Sequence, residues 1–229
     1  MTAMGILATD DWLSRPSLLI VAVALVSLLP FAFMTLTAFV KIATVLQIVR
    51  SALGAQSVPS STVIMAFAGA LTLIAMAPVG EKIAVRATPL FAGKPALDVV
   101  TLVRGGVEAV GGPLREFLVA NASRTERARF LDVARSARPE EQRSQVHDDD
   151  LTVVVPAFVV TELGEAFAVG FLIYLPFLVI DLVVSNVLLA LGMQMMSPTQ
   201  VSLPFKLLLF VAIDGWGLLA ASLVSGYHH

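Results

Sequence analysis

Taken as a succession of apolar and polar positions, the chain carries four long apolar blocks, at residues 17–40, 62–79, 165–192 and 201–225. About 20 residues of helix cross a bilayer core. The blocks therefore predict an all-α, membrane-associated protein of two long helical hairpins, at residues 1–79 and 151–229, with a polar insert at 80–150 between them. The first block is too long for a signal-peptide core of about 7–15 residues and runs into Lys41 without a small-residue cleavage site, so it reads as structure.

The insert holds eleven of the fifteen Lys and Arg residues and eleven of the seventeen Asp and Glu, a balance that predicts a soluble, mainly helical subdomain. Ser123 followed by Glu126 has the spacing of a capping box, which would open a helix through Phe130, Leu131 and Val133. Residues 138–150 are almost free of apolar side chains and read as a flexible loop. The short segment 41–61 has Lys41 and Arg50 but no acid, and the positive-inside tendency places such a loop in the cytoplasm and the insert on the far side of the membrane.

Composition sharpens this picture mainly by exclusion. Hydrophobic residues make up 57% of the chain and charged ones 14%, against about 25% charged in an average soluble domain, and the mean hydropathy is +0.87. A net charge of −2 and the lack of a basic patch argue against a nucleic-acid partner. With no cysteine and only His147, His228 and His229, neither a thiolate site nor a histidine-based metal or acid–base site is expected. Gly111, Gly112 and Pro113 lack the context of a phosphate loop, so no nucleotide or other cofactor is expected either.

The C-terminal hairpin nevertheless carries Glu162, Glu165, Asp181, Lys206 and Asp214 inside apolar sequence. Each charge costs about 2.5–3.5 kcal/mol at a lipid-facing helix centre on insertion scales, so these side chains should face protein or water. Prolines at 30, 78, 156, 176 and 204 point the same way, because freed backbone groups need partners and predict broken helices buried in protein. Glu162 and Glu165 share a helix face and repel unless one is protonated or a cation lies close. With the hairpin folded about Ser197 and Pro198, Asp181 lies level with Asp214 and Lys206 with Leu189. Lys206 is then about 12 Å from either acid along the helix, so it either snorkels to an interface or finds its partner in another helix or another copy of the chain. At the turn itself stand Met193, Gln194, Met195 and Met196, unbranched thioethers suited either to filling irregular gaps or to closing around variable cargo.

In these same residues the chain resembles the SctR/FliP family of type III secretion export-apparatus proteins. The resemblance is carried by PAFVVTEL at 156–163, GFLIYLPFLVIDL at 170–182, LPFKL at 203–207 and DGW at 214–216. The N-terminal half agrees, with LPF at 29–31, TAFVKI at 37–42, LGAQ at 53–56, VP at 58–59, MAP at 76–78 and, in the insert, PLREF at 113–117. Departures from the family pattern are Ser51 for a usual Asn, Ser60 for a common second Pro, and Gly164–Glu165 where a basic residue is frequent.

The resemblance implies a non-enzymatic core subunit of an export gate that passes unfolded secreted proteins across the bacterial inner membrane. Such a subunit would be multi-pass, present in several pentamer-like copies, protrude towards the periplasm, and assemble with SctS-like and SctT-like subunits while contacting SctU-like and SctV-like ones. Mapped onto this chain, it makes Met193, Gln194, Met195 and Met196 a pore gasket and Glu162, Lys206 and Asp181 charge contacts between neighbouring subunits. The closeness of residue 1 to the first apolar block, together with Val40–Lys41 and Ala55–Gln56, looks more like the host-directed than the flagellar branch. Buried acids alone would equally suit an ion-coupled small-molecule transporter or a structural scaffold. A transporter of that kind should show repeated halves, yet the first hairpin has neither an acid in its apolar blocks nor a methionine-rich turn.

Overall fold

The computed structural model describes residues 16–54, 59–91 and 99–228, and every regular element among them is a helix. In chain order these are α1 (Pro16–Leu36), α2 (Phe39–Leu53), α3 (Ser61–Ala75), α4 (Ala77–Phe91), α5 (Val99–Asn121), α6 (Arg124–Ser136), α7 (Glu140–Arg143), α8 (Leu151–Ala190), α9 (Pro198–Ala212) and α10 (Gly215–Ser225). The 40-residue α8 is the spine, with α2, α5, α6 and α9 packed along it. It is also the one described helix that is long and apolar enough to cross a membrane unaided. Three further spans exist only if bent pairs count as one each: α1 with α2 at 68°, α3 with α4 at 57°, and α9 with α10 at 59°.

Of the prolines at 30, 78, 156, 176 and 204, only Pro78 stands at a bend, in the first turn of α4 just after Met76. Pro156 and Pro176 lie inside an uninterrupted α8, Pro30 inside α1 and Pro204 inside α9. The chain turns at Thr37–Ala38, at Met76 and at Ile213–Asp214. At the first of these, the Thr37 hydroxyl donates to the Phe33 carbonyl at 2.6 Å and accepts the Phe39 amide at 3.3 Å, so one side chain closes α1 and opens α2. At the last, Asp214 adopts φ 51°, the left-handed region that aspartate tolerates better than most residues.

Residues 41–53 are not a loop, as their basic character predicts, but most of α2, the best-buried helix of the fold. Ile42, Val45, Leu46, Val49, Ala52 and Leu53 recur at helical spacing and are all at most 2% exposed. Burying a side chain of this size contributes about 1.5–3 kcal/mol relative to water, enough to outweigh the desolvation of one paired lysine. Gly54, at φ 73°, ends the helix by returning its amide to the Ser51 carbonyl. The positive-inside argument thereby loses its loop, since Lys41 is buried and Arg50 hydrogen-bonds Ser61.

Where Ser60 replaces the common proline, its hydroxyl caps α3 by accepting the Val63 amide. Ser123 likewise caps α6 by accepting the Glu126 amide at 3.2 Å. The reciprocal half of that capping box is taken over: the Ser123 amide donates to Thr161 Oγ1 at 3.0 Å, tying α6 to α8, while Glu126 pairs with Arg129. Residues 138–150 are an ordered turn containing α7, pinned by Val146, which is fully buried and whose carbonyl accepts from Arg135. The expected boundary at 79/80 falls within α4, which packs on α5 through Lys82 and Arg86 paired to Glu116. The Arg86 hydrogen bond holds the Glu116 carboxyl below its ordinary range.

Candidate functional site

Two buried charge layers and one exposed loop contain the residues singled out in the C-terminal half, apart from Asp214, which stands at the α9–α10 bend. Layers and loop are strung along α8, so the helix itself sets their spacing.

The first layer surrounds Glu162, whose side chain is 1% exposed. Lys41 of α2 reaches Glu162 Oε1 at 3.1 Å and Glu165 Oε2 at 2.6 Å. It is the cation that two acids three positions apart require. Tyr227 completes the layer: its hydroxyl donates to Glu162 Oε2 and lies 3.1 Å from the Ala38 carbonyl, and its ring stands under the Lys41 ammonium at 4.6 Å. Burial, and after it the Glu162 charge, push the phenol above its ordinary range, so it stays protonated and serves as a donor. Neither Lys41 nor Tyr227 was legible as a member of this group. Lys41 was assigned to a loop, and nothing local marks a tyrosine two residues beyond α10.

The second layer lies nineteen positions further along α8 (181 minus 162), roughly 28 Å at 1.5 Å per residue. Asp181 uses both its oxygens here, one accepting from Ser202 at 2.5 Å and the other from Lys206 at 2.6 Å. Lys206, 2% exposed, also donates to the Ala52 carbonyl at 3.2 Å. That carbonyl belongs to the last turn of α2, where carbonyls lack helical partners and the helix dipole favours a cation. Lys206 is therefore fully partnered inside its own chain, contrary to the expectation from hairpin arithmetic. The error was one of register. The turn is not a tight one about Ser197 and Pro198 but an irregular loop over 191–197, and Asp181 consequently lies level with Ser202 and Lys206 rather than with Asp214.

The loop begins where α8 stops. Gly192, at φ 74°, donates to the Leu189 carbonyl at 3.0 Å, and Met193 donates to the Leu188 carbonyl at 2.9 Å, the paired bonds of a Schellman motif. The Met196 amide then bonds the Met193 carbonyl, and α9 starts with Pro198 in its first turn, where its missing N–H costs nothing. Met193, Met195 and Met196 are 40%, 100% and 45% exposed, and Gln194 is exposed beside them. None is used as core filler within this chain.

The small residues separate in the same way. A Cβ on Gly170 would sit 2.5 Å from Ile48 Cδ1 and 3.1 Å from its Cβ, so this glycine is what allows α2 and α8 to touch. One on Gly164 would meet nothing within 4 Å. An aromatic chain closes the opposite side, with Trp216 edge-on to both Phe67 and Phe210, and Phe210 against Phe177.

An all-helical chain with one uninterrupted apolar span, three bent apolar pairs and paired charges within them is a membrane-associated helical protein. The sequence model of the FliP family matches residues 22–223, and the chain belongs to that family. It is 44% identical over 211 residues to the hypersensitivity response secretion protein HrcR of Ralstonia nicotianae, covering 92% of this chain and 96% of that protein. It is 42% identical over 216 residues to the Yop proteins translocation protein R of Yersinia pestis, covering 91% and 95%. The flagellar biosynthetic protein FliP of Caulobacter vibrioides is 41% identical over 202 residues, covering 88% of this chain and 72% of that one.

Proposed function

We propose that this chain is a core subunit of a type III protein-secretion export gate in the bacterial inner membrane, which forms a pore for unfolded secreted proteins together with copies of itself and with SctS-like and SctT-like subunits. SctU-like and SctV-like subunits contact the assembly. Relatives named for secretion, translocation and flagellar biosynthesis support this reading. The observation that carries the mechanism is the loop at the tip of the hairpin, where a residue as apolar as Met195 is 100% exposed. In a ring of copies, such loops converge, and their thioethers seal the resting pore against ions while yielding to a threaded polypeptide. The chain spans 96% and 95% of the hypersensitivity response and Yop translocation proteins but 72% of the flagellar protein, a match in length that favours the host-directed branch.

The charge layers belong to the same proposal. Asp181 keeps 29% of its side chain exposed and Glu165 55%, so each layer presents a carboxylate outward while its lysine is held within. A direct Glu162–Lys206 contact would require neighbouring subunits staggered by about 28 Å along α8. A contact from a neighbour to Asp181 requires no such stagger, and it is the subunit contact we propose for this layer. The periplasmic placement of residues 80–150 and the protrusion of the complex rest on the family resemblance alone. Single cysteines placed at Val107 and Val133 in this cysteine-free chain test them by labelling with an impermeant thiol reagent from the periplasmic side.

For the seal, the test is conductance. Replacing Met193, Met195 and Met196 by alanine in the purified complex should raise small-ion leakage without loss of assembly. An unchanged conductance would defeat the gasket.

A further inference from the structure

The residues that follow α10 do more than end a helix. Tyr227 is 6% exposed and touches three elements that are far apart in sequence: Glu162 of α8, Lys41 of α2 and the Ala38 carbonyl at the α1–α2 bend. Its ring packs on Phe117 of α5 at 5.8 Å between centroids, and Phe117 in turn on Phe158 of α8 at 5.7 Å. One residue further on, Asn121 at the end of α5 grips the backbone of His228 from both sides, donating to its carbonyl at 2.9 Å and accepting its amide at 3.1 Å. Such a bidentate grip is indifferent to the side chain at 228, whereas the site at 227 needs a ring and a hydroxyl together.

We propose that Tyr227 and the backbone of residue 228 form a clasp that fixes the bend between α1 and α2, making Tyr227 a positioning residue for the apolar arm α1. This goes beyond the gate reading, because it concerns the conformation of a single chain. The bend needs such a device. The Thr37 hydroxyl ties the two helix ends to each other but to nothing outside the bend, and among the described residues the Ala38 carbonyl is met only by the Ile42 amide at a long 3.3 Å and by Tyr227. Phe33 and Leu36 pack the base of the arm on the core, but beyond them Val23, Val26, Leu28, Leu29 and Phe31 are all 58–68% exposed, so the base sets where the arm points. The phenol shares its one proton between the Glu162 carboxylate and the Ala38 carbonyl in a three-centre bond, which links the bend to α8, the spine of the fold. A 21-residue helix amplifies any change at its base: over about 30 Å of length, a ten-degree swing displaces the tip by roughly 5 Å.

Tyr227→Phe removes the hydroxyl and keeps the ring, which avoids the misfolding that Tyr227→Ala could cause. In the full chain reconstituted in nanodiscs, amide exchange at Phe39 and Ile42 should accelerate at least about fivefold, the loss expected for one buried hydrogen bond of about 1 kcal/mol. Spin labels at Leu29→Cys and Leu182→Cys should report a broadened α1–α8 distance distribution in the same variant. His228→Ala should leave both readouts unchanged, while Asn121→Ala should move them in the direction of Tyr227→Phe. The clasp is overturned if Tyr227→Phe matches wild type in both measurements, if His228→Ala is as damaging, or if exchange rises equally in α5 and α6, which would mark general destabilisation instead of positioning.

Discussion

The two halves of α8 are both apolar, the second more so, yet it is the less apolar first half that is buried. Residues 151–170 bury Val153, Val154, Ala157, Phe158, Thr161, Glu162, Ala166 and Gly170, whereas residues 171–190 bury only Phe177 and Leu188. In the second half Phe171, Leu172, Leu182 and Val183 are more than half exposed. Hydropathy ranks the halves in the opposite order to burial, because a face covered by α2, α5 and α6 tolerates paired polar groups, whereas a face left for lipid or another subunit calls for apolar side chains throughout. What separates the halves is where other elements pack, and the polar residues report it: Glu162 is 1% exposed because Lys41 and Tyr227 arrive to meet it.

The strongest test of this contrast is Glu162→Ala. It strands a buried lysine with only the half-exposed Glu165 and leaves the Tyr227 hydroxyl without its nearest acceptor, a loss of about 3–5 kcal/mol in the unfolding of the chain in detergent. Stability within error of wild type would mean that the first half is not the packed core. Lys206→Ala should cost less, about 1.5–3 kcal/mol, because Asp181 retains Ser202 and some solvent; the same denaturant titration measures it. Gly170→Ala pushes a methyl into Ile48 across the α2–α8 contact and should cost about 1–3 kcal/mol, with Gly164→Ala silent beside it. Smallest is Leu182→Ala, expected within about 0.5 kcal/mol for the isolated chain while lowering the yield of oligomer on native gels. A large effect on the isolated chain, with oligomer yield intact, would make the second half a core like the first.

Much of the fold was open to sequence reasoning, and the failures share a cause. The Ser123 cap and the helical class of the chain follow from local spacing, and local spacing survives folding. Lys41 and Arg50 predict a loop over 41–61, yet an apolar period at 42, 45, 46, 49, 52 and 53 lies in the same segment and makes 41–53 part of α2. Pro156 and Pro176 predict breaks in α8 that do not occur, since each removes only one backbone hydrogen bond from a 40-residue helix. Hairpin arithmetic leaves Lys206 without a level acid in its own hairpin, because the length of an irregular loop cannot be counted from its residues. A slip of a few positions is enough to exchange Asp181 for Leu189. The motif segment Ala55–Val58 lies outside the described residues.

By itself the sequence determined the helical class, the membrane-compatible length of α8, the methionines at the hairpin turn and, through its spaced motifs, the FliP family. These depend on neighbours along the chain or on the identity of residues in order. Only the tertiary structure decided which charges meet, because Lys41 with Glu162, Lys206 with Asp181 and Tyr227 with Ala38 join positions that no periodicity connects. A buried charge takes whatever partner the packing of apolar faces brings within reach, and that packing is a property of the whole chain.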